Sequence, residues 1–394
     1  MKSTNKNINI NKVVNVFSST YILGSIGNSI INNVFILFMA SVKGFSDGEI
    51  SIILGILPLI SIFTFFVWGA IIDKYKKLVF FNKLVYSMNI VTLFLLYRVD
   101  DFKLFFIINL IRTIMMQPSG VANDEYLLNL SNKYGVRFGR IRVFGTIGYG
   151  IAGIVSTISL AYIGINKSIL MSSIFLIITL ILFFGLPEIA IAEEQGQSED
   201  KSYLNIINIL KNRDFRLFIY TYGVLTGVIA ASVNYGTPIL MIKLGAPDAF
   251  IGLIPIFMIV FEVILLPFIE KLNFYNNINY VFKLIGVLLI IRWIILGVAN
   301  SYITIMILAL MHGLINGLLL PMQNKLIWTL VPKDQHSTAF IMTNLFCNTI
   351  FPAIINLITG ILVKYLSIHT YGLVYLFITI ISMIIILKKK FSVT

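Results

Sequence analysis

Apolar runs recur along this chain at about 20 residues each, the length an α-helix needs to cross a hydrocarbon core, and short charged or glycine-bearing breaks separate them. Apolar windows set against those breaks predict twelve spans, near 13–41, 49–72, 78–98, 104–127, 140–164, 168–187, 215–243, 248–270, 279–299, 302–329, 337–364 and 370–387. The expected fold class is therefore an all-α membrane protein. Most connections are short, but EIAIAEEQGQSEDKSYLNIINILKNRD, residues 188–214, is a longer polar stretch. It divides the spans six and six, which predicts an N-terminal six-helix bundle (1–190), a cytoplasmic linker (191–214) and a C-terminal six-helix bundle (215–394). The polar start MKSTNKNINI leads straight into a full-length apolar run, so the first helix is expected to serve as its own insertion signal.

Composition strengthens this reading and charge refines it. Hydrophobic residues make up 58% against 12% charged, with a mean hydropathy of +0.92, which leaves little room for a soluble protein. The net charge of +13 would suggest a nucleic-acid partner if it were spread evenly. It is not. Of the 30 lysines and arginines, 22 fall on the side that both termini share, 6 on the opposite side, and 2, Arg112 and Arg292, inside spans. The positive-inside bias places the termini and the long linker in the cytoplasm of a plasma-membrane protein and accounts for the basic excess without nucleic acid. One cysteine, Cys347, and three widely separated histidines give neither a disulfide framework nor metal-ligand spacing. No GxxxxGK[ST], GxSxG or HExxH run is present, so neither an ATP-driven pump nor an intramembrane hydrolase is indicated. No enzyme activity, cofactor or metal is expected.

Two helix ends resemble each other across the halves. WGAIIDKYKK after the second span carries Gly69, Asp73, Lys74, Lys76 and Lys77, and LPFIEKLNF after the eighth carries Glu270 and Lys271. An acid followed by a base recurs six spans later, as expected of transporters built from two six-helix repeats. GAIIDKYKK is similar to the loop between helices two and three of the major facilitator superfamily, and the twelve spans with a central linker match that fold along the whole chain. The resemblance implies a cytoplasmic gate at Gly69, Asp73, Lys74 and Lys77. Where the family has a second glycine this chain has Lys76, which predicts a looser or differently closed turn.

RFGRIRVFGTIGYG, residues 137–150, sets arginines against apolar helix. Arg142, Thr146 and Tyr149 fall at i, i+4 and i+7, offering a planar donor fork, a hydroxyl and an aromatic ring on one face. Gly145, Gly148 and Ala152 form a small-residue face that lets this helix approach another closely. The stretch looks like the start of helix five in the oligosaccharide:proton symporter, lactose permease-like group. That resemblance implies that Arg142 and Tyr149 bind substrate and that Asp124 is the helix-four carboxylate; Glu125 beside it is a second candidate partner for Arg142. In the second half, Glu262, Arg292 and His312 sit inside spans, where each charged group costs about 2.5–3.5 kcal/mol at the bilayer centre, so they are expected to face one cavity. The same group carries a glutamate, an arginine and a histidine on these helices, but its further glutamate one turn beyond the histidine is replaced here by Ile315, with Asn316 adjacent.

Substrate contacts are thus expected from Arg142, Thr146, Tyr149, Arg292, His312 and Asn316, and proton coupling from Asp124, Glu125 and Glu262, with His312 able to relay or to bind. Arg112 either lines the extracellular half of the pathway or snorkels outward. Together these features predict a monomeric secondary active transporter. It would move a small organic solute (sugar, nucleoside or organic acid) by proton symport and alternating access, with the solute, protons and the lipid bilayer as its partners and the proton gradient as its energy source. The alternatives are an efflux carrier of the same fold and a receptor or channel.

Overall fold

The computed structural model describes residues 9–189, 209–269, 277–332, 336–367 and 369–388. Among them there is no strand, and twelve helices are long and apolar enough to cross a membrane. In chain order these are α1 (Ile10–Val42), α2 (Asp47–Tyr75), α3 (Leu78–Arg98) and α4, which runs over Phe102–Met116 and, after a turn at Gln117, over Pro118–Tyr134. Next come α5 (Phe138–Tyr162), α6 (Gly164–Phe184), α7 (Arg213–Lys243) and α8 (Asp248–Ile269). The last four are α9 (Ile278–Val298), α10 (Tyr302–Leu330), α11 (beginning at His336 and ending at Tyr365) and α12 (Thr370–Lys388). Polar caps fix several starts: Asn9, Asp101, Asn212, Asn277 and Ser301 each accept a hydrogen bond from a backbone N–H in the first turn. Gly135 ends α4 at φ +67°, in the left-handed conformation that suits glycine.

The chain forms two compact units, one of residues 1–44 and 60–194, the other of residues 45–59 and 195–394. In the first, Gly148 of α5 meets α1 so closely that a Cβ there would stand 2.6 Å from the Ile22 carbonyl oxygen, while Ala152 is fully buried. The small-residue face expected on this helix is therefore a packing surface. The break in α4 follows from Pro118, which has no N–H to offer the carbonyl four residues back at Ile114. The indole Nε1 of Trp68 on α2 donates to that carbonyl at 2.9 Å instead. Between α2 and α3, Lys76 takes φ +51°, and its N–H closes the turn on the Ile72 carbonyl at 2.7 Å. Lysine here adopts the backbone shape that glycine takes without strain. Glu188, beyond α6, accepts from the backbone N–H groups of Val79 and Phe80 at 3.0 and 2.8 Å. It supplies the anionic N-terminal cap that Lys77 cannot give α3. Lys74 and Lys77 are exposed, whereas the Asp73 side chain, Glu270, Lys271 and most of the 191–214 linker lie outside the described residues.

In the second unit, α7 contains π-helical turns at Ile219–Gly223 and Ser232–Gly236, and α11 contains one at Phe346–Ile350. The latter two end two residues before Pro238 and Pro352, whose missing N–H opens the helical ladder. Residues 45–59 join this unit through Asp47, whose carboxylate pairs with Lys243 and whose carbonyl accepts from the Tyr235 hydroxyl at 2.9 Å. Gly313 of α10 brings α8 close, since a Cβ there would lie 3.0 Å from the Glu262 nitrogen.

Candidate functional site

Each unit holds a cavity of its own with polar side chains in its lining. That of the first unit encloses about 250 Å³ and lies among α1, α3, the second half of α4 and α5. Its lining includes Tyr21, Asn28, Tyr86, Asn123, Asp124 and Arg142. The α4 break matters here, because Ser119, Gly120, Asn123 and Asp124 all follow it within two turns. One carboxylate oxygen of Asp124 accepts from the Tyr21 hydroxyl at 3.0 Å and faces the Arg142 Nη1 at 3.8 Å. The Arg142 guanidinium also lies 6.0 Å from the centre of the Tyr21 ring, within reach of its π face. The Arg142 and Asp124 side chains are 56% and 46% exposed, so the pair is open to a ligand and contributes under about 1 kcal/mol to stability. Arg142 therefore points at a carboxylate inside the unit. Thr146 and Tyr149 are exposed and lie outside this lining, as does Glu125.

Arg112 anchors a chain of polar groups behind the cavity. Its Nε donates to the Asn89 side-chain oxygen at 2.8 Å, the Asn89 amide nitrogen donates to Asn28 at 3.1 Å, and Asn28 lines the cavity. The cation also sits 5.7 Å from the Phe35 ring centre. This arginine does not snorkel outward; it orients a lining carboxamide through a buried asparagine.

The second unit's cavity encloses about 340 Å³ between α7, α10 and α11. His312 and Asn316 line it, one turn apart on α10, and each has a charged group one hydrogen bond behind it. The Asn316 amide donates to Glu262 Oε2 at 2.7 Å. The Arg292 Nη1 lies 3.4 Å from His312 Nδ1; arginine can only donate, so that ring nitrogen accepts and the imidazole proton rests on Nε2. Arg292 is 2% exposed, its Nε has no partner, and among the described residues no carboxylate reaches it. The three charged residues expected to face one cavity are thus divided: only His312 lines it, while Glu262 and Arg292 stand behind neutral groups. Ile315, at the place of the family's further glutamate, is fully buried in the core.

The sequence reading missed Tyr21, Asn28, Tyr86, Gln323 and Asn344. The available signal was a carboxamide or phenol inside an otherwise apolar run, but such residues are frequent in these spans and only packing shows which converge. Among the described residues no group of three His, Cys, Asp or Glu side chains is placed to hold a metal.

Twelve apolar helices, with polar side chains lining a cavity in each unit, define a multi-pass membrane protein. The chain belongs to the MFS_1 like family of the major facilitator superfamily, whose sequence model matches residues 34–373. It is a transporter and not an enzyme. It is similar to the "Uncharacterized transporter YwbF" of Bacillus subtilis (strain 168), at 21% identity over 342 residues, covering 85% of this chain and 83% of that protein. In fold it is similar to a point mutant of the nucleoside transporter NupG, with a TM-score of 0.78 and 16% identity over 96% of this chain and 98% of the other. It is also similar to a POT family transporter bound to a thioalcohol-conjugated peptide, with a TM-score of 0.73 and 14% identity over 96% and 95% of the two chains.

Proposed function

We propose that this transporter is a proton-coupled symporter of the plasma membrane that carries a small neutral organic solute, of the nucleoside or sugar kind, by alternating access. One observation carries the reading: among the described residues Arg142 is paired with Asp124 in one lining, and Glu262 and Arg292 are each held one hydrogen bond behind a neutral residue of the other. Linings of this sort offer donors and acceptors without a net charge to attract an organic acid. The likeness in fold to NupG, a nucleoside transporter, supports the same class. Asp124 and Glu262, with Glu125 as a further candidate, are the proton-binding carboxylates, and Arg142, Thr146, Tyr149, His312 and Asn316 contact the solute. Arg292 acts on the solute through His312. Gly69, Asp73, Lys74 and Lys77 form a cytoplasmic gate, the chain works as a monomer, and both termini face the cytoplasm.

Counterflow in proteoliposomes tests the carrier, and an imposed pH gradient tests the coupling. Saturable counterflow of radiolabelled uridine or sugar is expected, with accumulation only when the outside is acid. Glu262→Gln, or failing that Asp124→Asn, should abolish accumulation while exchange persists, because exchange need not return an empty proton site. Full accumulation in both single variants would remove these carboxylates from the proton path, and flux without counterflow would indicate a channel. A cysteine placed in the 190–200 segment should resist impermeant reagent in intact cells; labelling from outside would reverse the orientation.

A further inference from the structure

The second unit's cavity is ringed by carboxamides: Asn234, Asn316, Gln323, Asn344 and Asn348 all line it. A carboxamide presents a donor and an acceptor side by side in one plane. It matches a ligand edge that does the same, whereas a hydroxyl rotates to suit any partner and a carboxylate offers acceptors alone. Part of this capacity is already used. The Gln323 oxygen accepts from the Tyr222 hydroxyl at 3.1 Å, the Asn348 nitrogen donates to the Asn344 oxygen at 3.3 Å, and the Asn316 nitrogen donates to Glu262. What is left is a mixed set of donors and acceptors. The Gln323 Nε2 has no partner although the residue is only 8% exposed, the Asn344 nitrogen can still donate, and the Asn348 and Asn316 oxygens can still accept. A buried amide N–H left unmade costs about 1–3 kcal/mol, so the Gln323 nitrogen marks a place where a ligand acceptor belongs.

The backbone points the same way independently. All three π-helical turns of α7 and α11 contribute to this lining, through Tyr222, through Val233 and Asn234, and through Cys347 and Asn348. A π turn inserts one residue and re-aims its neighbours, and such turns concentrate at functional sites. Phe340, also in the lining, offers an aromatic face.

We infer that this cavity is a subsite for a planar edge carrying adjacent N–H and C=O groups, seated among the carboxamides with its face toward Phe340. The lactam edge of a nucleobase and the peptide bond of a short peptide both have this chemistry. The inference rests on the carrier reading and names the chemical class of its solute.

Calorimetric titration of the purified full chain separates the sources. If the ligand is a nucleobase, uridine binds saturably and 3-methyluridine, whose N–H is blocked, binds about tenfold more weakly, the weight of one buried hydrogen bond. If it is a peptide, alanyl-glycine binds and its N-methylated counterpart alanyl-sarcosine loses the same factor. Gln323→Glu keeps the acceptor for Tyr222 but removes the free N–H, and should weaken the bound member about tenfold; Asn344→Leu, at a less buried position, is the second variant. Binding of neither uridine nor alanyl-glycine, equal binding of a methylated analogue, or unchanged binding in both variants would overturn the subsite. A chain that shows sugar counterflow but binds neither amide probe keeps the carrier reading and loses this one. A chain that binds uridine in the expected pattern without counterflow does the reverse.

Discussion

Arg292→Met separates a functional buried cation from a structural one, because the two readings predict opposite signs for stability. Arg292 lies in α9 four residues past the helix midpoint at Leu288, roughly 6 Å along the axis, so its insertion cost sits near the lower end of the range, about 2.5 kcal/mol. Against that cost stand one long hydrogen bond to His312 at 3.4 Å and contact with the adjacent Trp293 ring, and the Nε has no partner. A hydrogen bond of this length contributes about 1 kcal/mol. Methionine fills similar volume without charge, and a turn of the His312 ring, which lies in the cavity lining, brings its acceptor nitrogen from the vacated place to the cavity side, where water can reach it. The balance favours the variant by about 1–2 kcal/mol, in line with replacements of buried charges by apolar side chains. For a unit of this size that corresponds to a rise in melting temperature of about 2–8 °C. Transport should nevertheless fall at least tenfold, since the group that fixes the His312 ring is gone. Thermal unfolding in detergent and uptake at matched protein level are the two measurements. A lower melting temperature would make Arg292 a structural keystone, and normal uptake would show that its charge does not act on the solute.

Other substitutions test the remaining features. Arg142→Lys keeps the charge but loses the planar fork, so uptake should fall about 10- to 100-fold with stability changed by less than about 1 kcal/mol; unchanged uptake would take Arg142 out of the site. Lys76→Gly removes a left-handed non-glycine residue and should raise stability by about 1 kcal/mol, read as a melting temperature a few degrees higher, whereas a fall would mean that the lysine side chain earns its place by a contact. Trp68→Phe leaves the Ile114 carbonyl without its donor at the α4 break and should cost about 1–3 kcal/mol, while Trp68→Phe with wild-type stability would show that water satisfies that carbonyl.

The helices were legible because length and apolarity are one-dimensional properties, and charge asymmetry gave an orientation for the same reason. Charged residues inside spans were legible as individuals: Arg142, Glu262, Arg292 and His312 stand out because each is costly in lipid. Their partners were not. Asp124 was named as the Arg142 partner with Glu125 beside it, and only packing against α1, where Gly148 admits Ile22, shows that Asp124 is the one shared with Tyr21. Asn316 stands out in the sequence only as the neighbour of Ile315, where the family's further glutamate is missing, and its bond to Glu262 depends on Gly313 drawing α8 against α10. The α4 break was missed because Pro118 in an apolar run is compatible with a continuous kinked helix until Trp68, 46 residues before Ile114, is seen to take the orphaned carbonyl. Uncharged amides stayed hidden for an energetic reason. A carboxamide in a span is cheap enough to occur for packing alone, so a single Asn or Gln carries little information, and only convergence does. Convergence is what the second cavity displays: Gln323 and Asn316 on α10 and Asn344 and Asn348 on α11 meet across a space with no net charge. Charge therefore located the helices that carry the site, while the lining that would discriminate among solutes was written in residues that no count along the chain could single out.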